Sequence, residues 1–223
     1  MRFKDAPKLP LLFITLMFAT GALAWDRLPN RIPTHWGPSG AIDAWADKSF
    51  GSVFAMPLLA LGLYVLLLVA PYLDPKQRNL LASGKAYGIV IDLVIGVEAV
   101  VFASTLAAAF DHSFAVDRVV MIAVGVMFVV IGNYMTTVKQ NWTFGVRLAW
   151  TLSDEVVWRK TNRLGGWLFV GAGLCSIAGT FLPAPANLFA MLVPLGIMLV
   201  TTYVYSLVLY KRRHPEESGP APE

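Results

Sequence analysis

Six long apolar runs, 9–25, 50–72, 86–110, 118–138, 165–182 and 188–210, constrain this chain more than any other feature of it. A helix needs about 20 mostly apolar residues to cross the hydrocarbon core of a bilayer. Backbone groups in lipid must satisfy one another, so only helices or a closed barrel can span. The runs are continuous rather than alternating, which selects helices. Composition agrees: 57% of the residues are hydrophobic and 14% charged, against roughly 25% charged in a soluble domain. A soluble fold of 223 residues has too little interior to hide that much apolar surface. The expected fold is an all-α, polytopic transmembrane helical bundle of about six spans.

Lysine and arginine set the expected orientation. With both ends on one side, fourteen of the 18 cations fall on that side, and Arg27, Arg31, Lys48 and Arg118 on the other. Such an excess marks the cytoplasmic face, giving N-in/C-in. Trp25, Trp36, Trp45, Trp142, Trp150, Trp158 and Trp167 lie in loops or near span ends, the headgroup level that indole prefers. The basic start, the apolar run and Ala22-Leu23-Ala24 also resemble a signal peptide. The run is long enough to span and is read as the first span; its cleavage would leave five. The single cysteine, Cys175, excludes an intrachain disulfide and is read as a small buried apolar residue.

The loops divide the chain into a two-span unit (1–75), a four-span unit with a basic inner loop (76–213) and a disordered tail (214–223). Pro29 and Pro33 favour extended backbone in the outer loop 26–49. Gly37 and Gly40 permit positive φ, so a compact turned loop is expected. In the inner loop 139–164, Thr151 to Asp154 reads as a helix start, with Asp154 and Glu155 at its positive end. Glu155 and Arg159 stand four apart and can pair. This helix is expected to run along the interface until Gly165 and Gly166 turn the chain into the fifth span.

The stretches Gly132-Asn133-Tyr134-Met135, Asn141-Trp142-Thr143-Phe144-Gly145-Val146-Arg147, Trp150-Thr151-Leu152, Val157-Trp158 and Lys160-Thr161-Asn162-Arg163, with Gly166, resemble the SdpI family of bacterial membrane immunity proteins. The outer loop, Ile32-Pro33-Thr34-His35 through Gly40, Asp43, Trp45 and Lys48, looks like the small domain of unknown function that often precedes that family. The resemblance covers about residues 9–210. Thr136 and Ala149 stand where prolines are common in the family. The resemblance implies a multi-pass protein of the bacterial plasma membrane that gives resistance to a secreted peptide toxin or envelope stress. It also implies signalling by holding a transcriptional repressor at the membrane.

Read for chemistry alone, the third span carries Asp92 and Glu98. An ionised carboxylate there is costly unless paired, solvated or protonated. Asn133, at a similar depth on the fourth span, is expected to face Asp92 and donate to it. In the inner loop, Asn133, Asn141, Arg147, Trp150, Trp158, Lys160, Asn162 and Arg163 read as a face for a cytoplasmic partner. Arg147, Arg159, Lys160 and Arg163 suit anionic lipid equally well. In the outer loop, His35, Gly40, Asp43, Trp45 and Lys48 hold the loop together or touch an extracellular ligand. His35, Asp43, Asp47 and His112 are metal-ligating types without a tight spacing, so no metal is expected. No catalytic or nucleotide-binding motif occurs, so neither an enzyme nor a cofactor is expected. The cations flank spans and read as topology rather than nucleic-acid binding. An ion- or solute-coupled transporter built on Asp92 and Glu98 is the alternative.

Overall fold

The computed structural model describes residues 7–218. Arg2 and Lys4 of the basic start, and residues 219–223 of the expected disordered tail, lie outside the described residues. Six long helices form the bundle: α1 (Leu9–Ala24), α2 (Phe50–Leu73), α4 (Gly84–Phe110), α5 (Val116–Met135), α7 (Glu155–Gly179) and α8 (Ala186–Arg213). Two short helices, α3 (Gln77–Ala82) and α6 (Ala149–Ser153), lie in the connections at one end. Among the described residues five helices are long and apolar enough to cross a membrane: α1 with its short extension, α2, α4, α5 and α8. Large apolar side chains such as Leu59, Leu66, Phe189 and Val200 point outward from them, the arrangement that lipid allows and water does not. The protein is a helical membrane bundle.

α7 differs from the expectation. It runs unbroken from Glu155 to Gly179, with no turn at Gly165 and Gly166. Those glycines serve close packing instead. α5 and α7 lie antiparallel, Gly125 opposite Gly173 and Gly132 opposite Gly166, and β-carbons at these four positions would sit 2.5–2.8 Å from the facing carbonyl oxygens. The pairs repeat every seven residues, the spacing that keeps one seam facing its partner along two gently crossing helices. Ser176 continues the seam by donating to the Met121 carbonyl at 3.0 Å. Cys175, next along α7, is exposed rather than buried, because the seam takes its neighbours.

α1, α2 and α4 share a second core, where Ile14, Met17, Phe54, Ile91, Ile95 and Phe102 meet. The loop between α1 and α2, expected only to be turned, is a β-hairpin. Strands β1 (Arg31–Trp36) and β2 (Ile42–Asp47) pair antiparallel, Arg31 with Asp47 and Pro33 with Trp45, and the register slips around His35. Pro33 lacks a ladder donor and sits beside that irregularity, where a strand tolerates proline. Gly40 closes the turn at φ +77° and donates to the Gly37 carbonyl. Ser49 and Ser52 then cap α2 reciprocally. At the other end of the chain α8 continues through Arg213, and residues 215–218 form a 3-10 turn, where a disordered tail was expected.

Candidate functional site

Two polar constructions cap the bundle, one at the hairpin end and one at the basic end. At the basic end Asn141 organises the loop between α5 and α6. Its Oδ1 accepts from the Thr143 and Phe144 amides, and its Nδ2 donates to the Lys139 and Phe144 carbonyls. Asn162 on α7 accepts the Val146 amide and donates to the Trp158 carbonyl. Trp158 donates its indole N–H to the Val138 carbonyl at 2.9 Å. Gly145, at φ +120°, lets the loop lie on Trp158 and Asn162, which leave no room for a β-carbon there.

This revises the expected docking face. Asn141, Trp158 and Asn162 are 0%, 2% and 1% exposed and hold the loop rather than offer themselves to a partner. Buried polar groups need such partners, and a loop folded over a helix end supplies them. Trp150 is half-buried, donates to Ser206 Oγ at 2.8 Å and meets Tyr203 edge-on. Arg147, Lys160, Arg163 and Trp142 are exposed. Arg147 donates to the Trp142 carbonyl. Ala149 opens α6, a position where proline also fits. Glu155 and Arg159 form no ion pair among the described residues.

Sequence reasoning missed the residues that fasten this loop to the rest of the bundle. Asp74, buried just past α2, accepts the Trp142 amide and the Thr143 hydroxyl through Oδ2, and the Lys76 amide through Oδ1. Lys76 donates to Gln140 Oε1, Asn79 to the Gln140 carbonyl, and Lys139 N–H to Ser83 Oγ. Asp154 caps α7 through the Val156 and Val157 amides and takes Arg213 Nε at 2.7 Å and His214 Nε2 at 3.1 Å. Burial opposes its ionisation, but the hydrogen bonds from Arg213, His214 and the two amides prevail and hold the carboxyl well below the usual range. Only the helix-start role of Asp154 was legible in sequence; an acid directly after an apolar run was the available signal for Asp74.

At the hairpin end His35 and Asp43 pair across the strands at 2.6 Å, both exposed. Lys48 reaches back to the Trp25 and Leu28 carbonyls and lies over the Trp25 ring. Trp45 meets His112 edge-on, 5.0 Å between ring centres. Gly40 rests against the Asp117 carboxylate of α5, which accepts Asn187 Nδ2 of α8 at 3.0 Å. No group of three His, Cys, Asp or Glu side chains among the described residues converges to hold a metal.

Asn133 and Asp92 are not brought together. Gly132 must face α7, which turns Asn133, about 100° further round the helix, to the outside. Asp92 Oδ1 is buried without a partner. Glu98, six residues on, lies about 240° round α4 from it, so the two acids form no shared site.

Fold and site together define a multi-pass membrane protein with a clamped hairpin at one end and a stitched basic loop at the other. A model of the SdpI/YfhL protein family matches residues 137–206, behind a match to DUF1648, a domain of unknown function, at 12–61; over those residues, and in that order, the chain is similar to the two families. The 137–206 match takes in the Asn141, Trp158 and Asn162 construction, and the 12–61 match takes in the hairpin. No curated protein and no solved structure matches the chain.

Proposed function

We propose that this chain protects the bacterial plasma membrane that holds it, with the hairpin outside, by meeting a secreted peptide toxin or other envelope stress there. The observation that carries this reading is the clamping of the hairpin at both ends, to the turn that follows α1 through Lys48 and to α5 and α8 through Gly40, Asp117 and Asn187. A peptide pressing on the hairpin acts on three helices at once. The exposed Arg147, Lys160, Arg163 and Trp142 supply cationic and aromatic anchors for holding a cytoplasmic repressor. Coupling between the ends requires that a toxin bind two bundle arrangements unequally. The chemistry is binding rather than catalysis. Toxin-sensitive cells expressing the chain should grow at concentrations of an apolar peptide toxin that kill cells without it; identical killing curves reject the reading. Capture of a soluble repressor, lost on Arg163→Ala, tests the signalling arm.

One observation favours coupled transport instead: the unpartnered Asp92 oxygen inside a spanning helix. Ion or solute flux in proteoliposomes that disappears with Asp92→Asn would establish that reading. Intact insertion, stability and protection in the same variant would remove it.

A further inference from the structure

Beneath the hairpin two cavities, of about 510 and 480 Å³, share the wall formed by Gly40, Asp117 and Asn187. Both volumes lie in the range of small-molecule sites. The first cavity is apolar, lined by Trp36, Val101, Val120, Met121, Leu188 and Met191. Val101 lies nine residues before the end of α4 and Met191 five residues into α8. At 1.5 Å per residue this carries the floor of the cavity roughly 7–13 Å below the helix ends, while its mouth lies between the hairpin and the first turns of α5 and α8. The second cavity is polar, lined by Ser39, His112, Ser113 and Arg118, and lies at the helix ends.

Opposite charges stand side by side at the junction. Asp117 is held by Asn187, which is itself buried. Asn187 occupies Oδ2, and Oδ1 accepts no hydrogen bond among the described residues. Arg118, the next residue, is exposed and has no carboxylate partner among the described residues. A ligand that satisfies both needs an N–H cation for Asp117, an anion for Arg118 and a hydrocarbon tail for the apolar cavity.

We infer that these two cavities seat one zwitterionic phospholipid of the hairpin-side leaflet with a primary ammonium headgroup, its ammonium on Asp117, its phosphate on Arg118 and an acyl chain between α4, α5 and α8. The ammonium is selected because it can donate a charge-assisted hydrogen bond to Oδ1. A quaternary choline carries no N–H, and a glycerol headgroup brings no cation to the carboxylate. This site does not depend on the toxin reading, since lipid occupancy is measured on the purified protein without toxin.

The full chain is reconstituted in nanodiscs of equimolar dioleoyl phosphatidylethanolamine, phosphatidylcholine and phosphatidylglycerol, re-extracted in mild detergent, and the retained lipid is weighed by native mass spectrometry. The expected result is one retained lipid, with the ethanolamine form enriched roughly tenfold, the discrimination of about one charge-assisted hydrogen bond. Asp117→Asn, whose amide oxygen still accepts from Asn187, should bring the ethanolamine-to-choline ratio near one without lowering the unfolding temperature. Val120→Phe should lower the total lipid retained by narrowing the apolar cavity. Enrichment of phosphatidylglycerol, equal retention of all three lipids by the wild-type chain, an unchanged ratio in a folded Asp117→Asn protein, or photocrosslinking of an apolar peptide at Val120 with lipid excluded would overturn the inference.

Discussion

Gly166 lies against Gly132 so closely that a β-carbon on Gly166 would stand 2.5 Å from the Gly132 carbonyl oxygen. The obstructing atom is backbone, so it cannot swing aside as a flexible side chain does. Gly166→Ala is therefore expected to lower the stability of the detergent-solubilised protein by about 1–3 kcal/mol, the usual cost of overpacking. Gly171→Ala, on the same helix with nothing within 4 Å of its added carbon, should be neutral or stabilising. Thermal unfolding followed by circular dichroism compares the two, and equal losses would refute the seam.

Trp158 and Arg163 separate architecture from docking. Trp158→Phe keeps a ring but leaves the buried Val138 carbonyl without its indole donor, at a cost of about 1–3 kcal/mol. Arg163→Ala removes an exposed side chain and should change stability by less than about 0.5 kcal/mol. Urea or thermal denaturation of the two variants reads the difference. A Trp158→Phe protein as stable as wild type would restore Trp158 to the docking surface.

Asp154 makes the basic end acid-sensitive. Its folded carboxyl titrates below its ordinary value of 3.8, so its contribution is complete at neutral pH. That contribution is lost as pH falls through the ordinary value towards the depressed one, because the unfolded chain takes up the proton first. Asp154→Ala should destabilise by about 1–2 kcal/mol near pH 7, the value of a helix cap, and the gap to wild type should begin to narrow below about pH 4. Melting temperatures measured from pH 7 to 3 test this; a gap that widens on acidification contradicts it.

Orientation is open to direct labelling. In a Cys175→Ala background, Ser39→Cys in the hairpin turn should react with an impermeant maleimide added to intact cells. Ser153→Cys, exposed beside Asp154, should react only after lysis. The reverse pattern would invert the bundle.

The spans were legible because about 20 apolar residues in a row have one solution in lipid. Gly165 and Gly166 were misread because a glycine pair marks both a turn and a close helix contact, and only the facing residue distinguishes them. Sequence does not record whether an indole N–H points at a carbonyl or at a partner, so Trp158 and Asn162 read as surface. The hairpin was written more openly: Ile32 to Trp36 and Ile42 to Trp45 are β-branched and aromatic runs around Gly37 and Gly40, a strand signal concealed by the prolines. Asp74 was out of reach because its partners lie 68 and 69 residues away.

The stitching by Asp74 has a consequence for swapping parts between relatives. Asp74, Lys76, Asn79 and Ser83 lie in neither matched segment, yet they receive or supply the hydrogen bonds that anchor 139–143. A graft of the hairpin unit cut after Ser83 would part these four side chains from the loop they hold and would keep the junction only if donor and recipient agree on both sides of it. The natural cut for a chimaera therefore falls before Asp74, within α2 or at its end.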